Sequence, residues 1–255
     1  MDSIIQTHQL KKVYGQKGVQ FAALKGIDLE VEKGEFLSIM GPSGSGKTTL
    51  LNLLSTIDKQ TSGSIFFNGR DLSKIHTKDI SRFRRDNIGF IFQDYNLLDN
   101  MTIQDNVALP LALNKVSHND IKQKVDRLSR FFGIEEQLKK YPYQLSGGQK
   151  QRTAAARALI TSPAVVFADE PTGALDSKSA TELLNCFADM NEKLGTTVIM
   201  VTHDAFAASF SKRVLFLADG QIHAKLYKDT SRKELYQRIL SMMSSLSGGD
   251  RNECF

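Results

Sequence analysis

Residues Gly41-Pro42-Ser43-Gly44-Ser45-Gly46-Lys47-Thr48 have the residue types and spacing of a loop that holds phosphate. Its glycines let successive backbone N–H groups curl around an anion without Cβ clashes. A helix beginning at Lys47 would add the partial positive charge of its N-terminus. The Lys47 ammonium has the reach for β and γ phosphates, and the Thr48 hydroxyl can ligate Mg2+.

A second group of residues supplies acids. Ala164–Glu170, AVVFADE, reads as an apolar strand ending in Asp169 and Glu170. An aspartate at the carboxyl end of a buried strand can hold Mg2+ through water, and the next acid can accept a proton from an attacking water. Taken alone, two adjacent acids could equally end a strand at the surface; beside a phosphate loop the chemical reading is favoured. Leu145-Ser146-Gly147-Gly148-Gln149 supplies a third element. Ser146 and Gln149 have capping-box spacing at a glycine-rich helix start, which leaves backbone donors that can bind an anion or simply cap the helix. It lies about a hundred residues from Lys47, so one chain need not bring both to the same phosphate.

The elements that must position these residues follow from the hydrophobic pattern. Residues 4–13, 27–31 and 35–40 are short β-prone segments separated by Gly-containing turns. KTTLLNLLSTID after Gly46 has helical spacing, while 62–70 and 88–93 return to strand. From about 95 to 160 the pattern is helical, as an insertion between two halves of an α/β core. Residues 164–170 and 196–204 are continuous β-branched runs expected of parallel strands buried on both faces and covered by helices. Ser231-Arg232-Lys233-Glu234 opens as a capping box, with Leu235, Ile239, Met242 and Leu246 on one face of a final helix that closes the core and stops before SGGD.

Composition sets the class. The 255 residues are 41% hydrophobic and 24% charged, which excludes disordered, collagenous and disulfide-scaffold chains. The longest apolar runs fall far short of the roughly 18 residues that span a bilayer. The start, MDSIIQTHQLKK, lacks the pattern of a secretory signal, which makes the cytoplasm the expected compartment. The net charge of +5, from 33 basic and 28 acidic residues, mildly favours anionic partners and selects none. Cys186 and Cys254 have no metal-ligand or redox spacing; the first reads as small core packing and the second as an incidental tail thiol. Arg82, Arg84 and Arg85 read as a solvated basic face in preference to a lipid-facing one.

GPSGSGKTT, LSGGQ, FADEPTGALD and the histidine of VTHD, in this order, closely resemble the nucleotide-binding subunits of ATP-binding cassette (ABC) transporters, over about residues 3–225. The resemblance implies an α/β fold of phosphate-loop NTPase type: a mainly parallel central sheet, an N-terminal antiparallel β part and a helical subdomain. It also implies a single domain over 1–255, with 1–94 and 161–225 as core, 95–160 as helical subdomain and 226–255 as C-terminal helix and tail. Two copies pack head to tail in that family, so each ATP lies between the phosphate loop of one copy and LSGGQ of the other. By that resemblance Gly41, Ser43, Gly44, Ser45, Gly46, Lys47, Thr48 and Thr49 bind the nucleotide, with Ser146, Gly147, Gly148 and Gln149 of the second copy. Tyr14 matches the aromatic that stacks on adenine, and Asp176 matches the acid that links the two sites across the dimer. Gln93 matches the glutamine that touches Mg2+ and the attacking water, and His203 the histidine on the γ-phosphate. Asp169, Thr48 and Gln93 then hold the metal, and Glu170, His203 and Gln93 serve catalysis.

The stretch FIFQDYNLLDNMT is most similar to the Bce type, the bacitracin-resistance group. Membership there implies a homodimer on the cytoplasmic face of the membrane, held by an integral permease and working through it with a sensor histidine kinase. It further implies ATP-driven removal of a peptide antibiotic from its lipid target. Lipoprotein-releasing and macrolide-export ATPases are the alternative. A soluble cassette acting on DNA or the ribosome is disfavoured because the chain has one cassette and no sustained heptads, so no nucleic-acid partner is expected.

Overall fold

The computed structural model describes residues 2–16 and 19–248. The chain divides into two compact units, Met1–Ser73 with Met200–Phe255, and Lys74–Ile199.

In the first unit, strands β1 (Ser3–Gln16) and β2 (Val19–Glu32) form an antiparallel pair interrupted by register shifts. In β2 the residues Ile27, Leu29 and Val31 are buried and Asp28, Glu30 and Glu32 exposed, the period-two pattern of a half-buried strand. On its other edge β1 pairs with β4 (Ser62–Phe67), which pairs with the two-residue β5 (Arg70–Asp71). This antiparallel sheet, ordered β2-β1-β4-β5, is the β part expected of the N-terminal region.

Every residue of β3 (Phe36–Met40) is buried. β3 runs parallel to β9 (Arg213–Ala218), in the register Leu37↔Arg213 to Met40↔Phe216, and β9 turns back into β10 (Gln221–Tyr227). The connecting residues Asp219 and Gly220 both have positive φ, 47° and 74°, as a two-residue hairpin of primed type requires. Helix α1 (Lys47–Leu54) follows the phosphate loop and buries Leu50, Leu51, Leu53 and Leu54. The short α7 (Ala205–Ala208) and the terminal α8 (Arg232–Gly248) complete the unit. Leu235 and Ile239 of α8 pack with Met40, Val214, Phe216 and Leu226, so the final helix does close a core.

The second unit contains α2 (Thr77–Asn87), β6 (Ile88–Ile91), α3 (Ile103–Leu113), α4 (His118–Phe132), α5 (Gly147–Leu159), β7 (Val165–Asp169) and α6 (Ser177–Leu194). β6 and β7 are parallel, Ile88↔Val165 to Ile91↔Ala168. The division falls within the fully buried β8 (Thr197–Val201). Helix starts are capped by the side chains of Thr102, Ser117, Ser146 and Asp176, which accept first-turn N–H groups.

Arg82 and Arg85 are exposed and Arg84 partly exposed on α2, a solvated basic face as expected, on a helix whose apolar periodicity is hidden by charged residues around the buried Phe83. Several other local expectations change. Helix α8 continues to Gly248 in place of stopping before SGGD. Its capping box forms by half: Ser231 Oγ accepts from the Glu234 amide, while the Glu234 carboxylate accepts from the Thr230 hydroxyl. Cys186 is only partly buried, and burial raises its thiol pKa. Cys254 and the Leu246 side chain lie outside the described residues.

Candidate active site

The phosphate loop leaves β3 directly after Met40. Gly41 has φ 152°, and a Cβ there would stand 1.9 Å from the Leu217 carbonyl oxygen, so no other residue fits without moving β9. The loop is cross-braced: Lys47 Nζ donates to the carbonyls of Gly41 and Pro42, both at 2.8 Å, and Ser45 N donates to Pro42 O at 3.3 Å. The β9–β10 turn joins in, Gly220 N donating to Ser45 O at 3.1 Å. Gly46, the left-handed residue before α1, provides no side-chain cap. The N-terminal end of α1 carries the partial positive charge that favours an anion. Ser45 Oγ is buried there without a partner, while Ser43, Gly44 and Thr48 are exposed. A built cradle of this sort fits phosphate.

Two further expected residues belong to the same unit. Tyr14, 40% exposed, sits opposite Phe21 on the β1–β2 ladder. Its hydroxyl donates to Asp58 Oδ2 at 2.8 Å. Lys12 Nζ lies 2.7 Å from Asp58 Oδ1 and 4.6 Å from the centre of the Tyr14 ring. Burial, and then the Asp58 carboxylate, raise the Tyr14 pKa, which keeps the phenol protonated. His203 is exposed. Thr202 N bonds Ile39 O at 3.2 Å, which sets His203 beside the end of β3.

The second unit holds the acids and LSGGQ. β7 buries Val165–Ala168 and emerges at Asp169. Glu170 follows with φ 46°, a backbone region sparsely populated by side-chain-bearing residues and often found at functional sites. Its carbonyl accepts from Gly173 N at 3.0 Å, closing a tight turn. Gln93 lies against that turn: a Cβ on Gly173 would come within 3.3 Å of its Nε2.

Ser146 caps α5, its Oγ accepting from Gln149 N while Gln149 Oε1 accepts from Ser146 N, the full capping box expected. A Cβ on Gly148 would meet Ser179 at 2.8 Å, so a glycine is needed for α5 and α6 to approach. The Ser179 hydroxyl in turn donates to Asp176 at 2.7 Å, which connects the LSGGQ segment to Asp176 through one side chain. The bonds from Ser179 and the α6 amides hold the Asp176 carboxyl below its ordinary pKa.

Residues not singled out in the sequence hold this half together. Gln151, fully buried, donates to Phe92 O at 3.2 Å and Pro171 O at 2.8 Å. Arg157 donates to Tyr95 O at 2.8 Å and Asn96 O at 2.5 Å, two consecutive residues with positive φ. Burial lowers the Arg157 pKa. The sequence signal available was slight: two polar residues within α5, whose partners lie 20 to 62 positions away.

The phosphate cradle, the acids at the end of β7 and the glycine-rich helix start define an ATP-hydrolysing cassette of the ABC class. The sequence model described as ABC transporter matches residues 24–173, and the chain belongs to that family. It is 49% identical to the bacitracin export ATP-binding protein BceA of Halalkalibacterium halodurans, over 96% of this chain and 98% of that protein. The lipoprotein-releasing system ATP-binding protein LolD of Bacteroides thetaiotaomicron is 41% identical over 86% of this chain and 99% of its own length. Among solved structures, the dimeric Methanocaldococcus jannaschii cassette MJ0796, in a post-hydrolysis state bound to ADP and Pi, superposes with a TM-score of 0.82. That match has 36% identity and covers 89% of this chain and all of the other.

Proposed function

We propose that this ATPase drives an integral membrane permease that gives resistance to bacitracin-like peptides. The observation that carries this reading is the 49% identity to BceA over 96% of this chain and 98% of that protein, against 41% identity to LolD over 86% of this chain. Among the described residues no helix is long and apolar enough to cross a membrane. In this reading the chain sits at the cytoplasmic face through its permease, and a sensor histidine kinase is reached through that partner.

In this reading the backbone N–H groups of Gly41 and Ser43–Thr48 and the Lys47 ammonium hold the β and γ phosphates, Thr49 lies next to them, and Tyr14 stacks on adenine. A second copy, packed head to tail, contributes Ser146, Gly147, Gly148 and Gln149, with Asp176 at the contact between copies. Gln93 orients the water, Glu170 accepts its proton, and His203 bonds the γ-phosphate. The water oxygen forms a bond to phosphorus as the bond to the ADP oxygen breaks, leaving ADP and inorganic phosphate. Thr48, Asp169 and Gln93 offer the oxygen donors that suit Mg2+, which neutralises phosphate charge when bound. Two bound ATPs favour the closed pair of copies and hydrolysis releases it, a two-state cycle that a permease can follow.

Purification of the tagged chain from host membranes in mild detergent tests this reading. A stoichiometric permease whose ATP turnover in liposomes rises with bacitracin is expected. A complex that responds to lipoprotein and not to bacitracin, or a chain that turns over ATP at full rate as a monomer with no permease attached, would overturn it.

A further inference from the structure

We infer that Lys12 and Asp58 are positioning residues that brace Tyr14 as the platform for the purine base, an inference that rests on Tyr14 contacting the base. The brace has three parts. The Tyr14 hydroxyl donates to Asp58 Oδ2 at 2.8 Å. Lys12 Nζ donates to Asp58 Oδ1 and to Lys59 O, each at 2.7 Å. The same ammonium stands 4.6 Å from the Tyr14 ring centre, within cation–π range. Asp58 is fixed in turn by the Lys59 amide at 2.7 Å, and its own amide donates to Asn52 O in α1 at 3.1 Å. The Lys12 side chain is only 11% exposed.

This arrangement ties both ends of a nucleotide site to one helix. α1 begins at Lys47 in the phosphate loop, and the turn after its end at Leu54 carries Asp58. Eight helical residues span about 12 Å, comparable with the reach of a nucleoside triphosphate from phosphate to base. Tyr14 is thus held at its hydroxyl by Asp58, just past the end of α1, and covered on its ring by Lys12, yet keeps 40% of its surface for a partner. A tyrosine held this way loses little rotamer freedom when a base stacks on it, so the brace lowers the entropic cost of binding.

Lys12→Met and Asp58→Asn test it, with Tyr14→Ala and the parent chain alongside. Binding of ATP and of inorganic tripolyphosphate is measured by calorimetry, and steady-state ATP hydrolysis is followed on the same preparations. Both brace variants should weaken ATP about three- to tenfold, the scale of a partly lost stacking contact, and raise KM with little change in kcat. Tripolyphosphate affinity should stay within twofold of the parent, since the phosphate loop is untouched. Equal loss of both ligands would mean that α1 itself is disturbed, and would overturn the proposal. So would unaltered ATP binding by both brace variants beside a weakened Tyr14→Ala. A Tyr14→Ala chain that binds ATP as tightly as the parent would remove the base contact itself, and the brace with it.

Discussion

Gln151 donates its side-chain amide to the carbonyl of Pro171, one residue past Glu170, at 2.8 Å. The same amide reaches Phe92 O, one residue before Gln93. A buried glutamine on the helix that opens with LSGGQ thereby holds the backbone beside two residues assigned to the attacking water.

Replacing Gln151 with Leu should strand the Phe92 and Pro171 carbonyls. Leaving buried acceptors unpaired costs about 1–3 kcal/mol, visible as a fall of several degrees in Tm. ATP turnover should drop more than ATP affinity, because the phosphate loop lies elsewhere in the chain. Unchanged turnover with a lowered Tm would reduce Gln151 to a purely structural role.

Glu170→Gln should bind ATP, accumulate as a nucleotide-trapped dimer and hydrolyse about 10²- to 10⁴-fold more slowly, the contribution of a general base. Size-exclusion chromatography with ATP and a phosphate-release assay check both halves. Parent-like turnover would remove Glu170 from the chemistry.

Mixing a Lys47→Ala chain with a Ser146→Arg chain tests whether LSGGQ acts on the partner's nucleotide. If it does, each heterodimer keeps one intact composite site and the mixture recovers activity that neither variant has alone. An intramolecular site predicts no recovery.

Gly41→Ala should abolish ATP binding or folding, since its Cβ would overlap the Leu217 carbonyl oxygen at 1.9 Å. Gly44→Ala meets nothing within 4 Å and bears only the penalty of φ +76°, about 1 kcal/mol. Thermal melts with and without ATP separate the two, and similar losses from both would contradict the steric account.

The Asp176 carboxyl titrates below its ordinary value because it accepts from the Ser179 hydroxyl and the α6 amides. The stability it contributes is therefore present above the unfolded pKa and lost as pH falls through the lower folded one. Melts of Asp176→Ala and the parent should differ at neutral pH and converge below about pH 4. A gap that persists in acid would place the effect elsewhere.

Much of the site was legible because its logic is local. Gly41–Thr48 and Ser146–Gln149 each form a loop-and-helix start within eight residues, as their spacing predicts. The apolar run into Asp169 likewise announces a buried strand. What escaped depends on distant partners: nothing near Asp58 in sequence indicates that it bonds Tyr14, 44 positions earlier. Nor does the neighbourhood of Arg157 indicate that its guanidinium will secure Tyr95 and Asn96 in positive-φ backbone. Helix α2 was missed for a different reason, since its few apolar residues are outnumbered by charged ones and periodicity loses its contrast. The β9–β10 hairpin hinges on an Asp-Gly pair that the longer parallel-strand signals overshadow.

Met40 shares its core cluster with Leu235 and Ile239 of α8, and the next residue is Gly41. The C-terminal helix thus acts as a backstop for the strand end from which the phosphate grip is launched. Trimming the chain after about residue 230 would strip that backing and slacken a pocket nearly two hundred positions upstream.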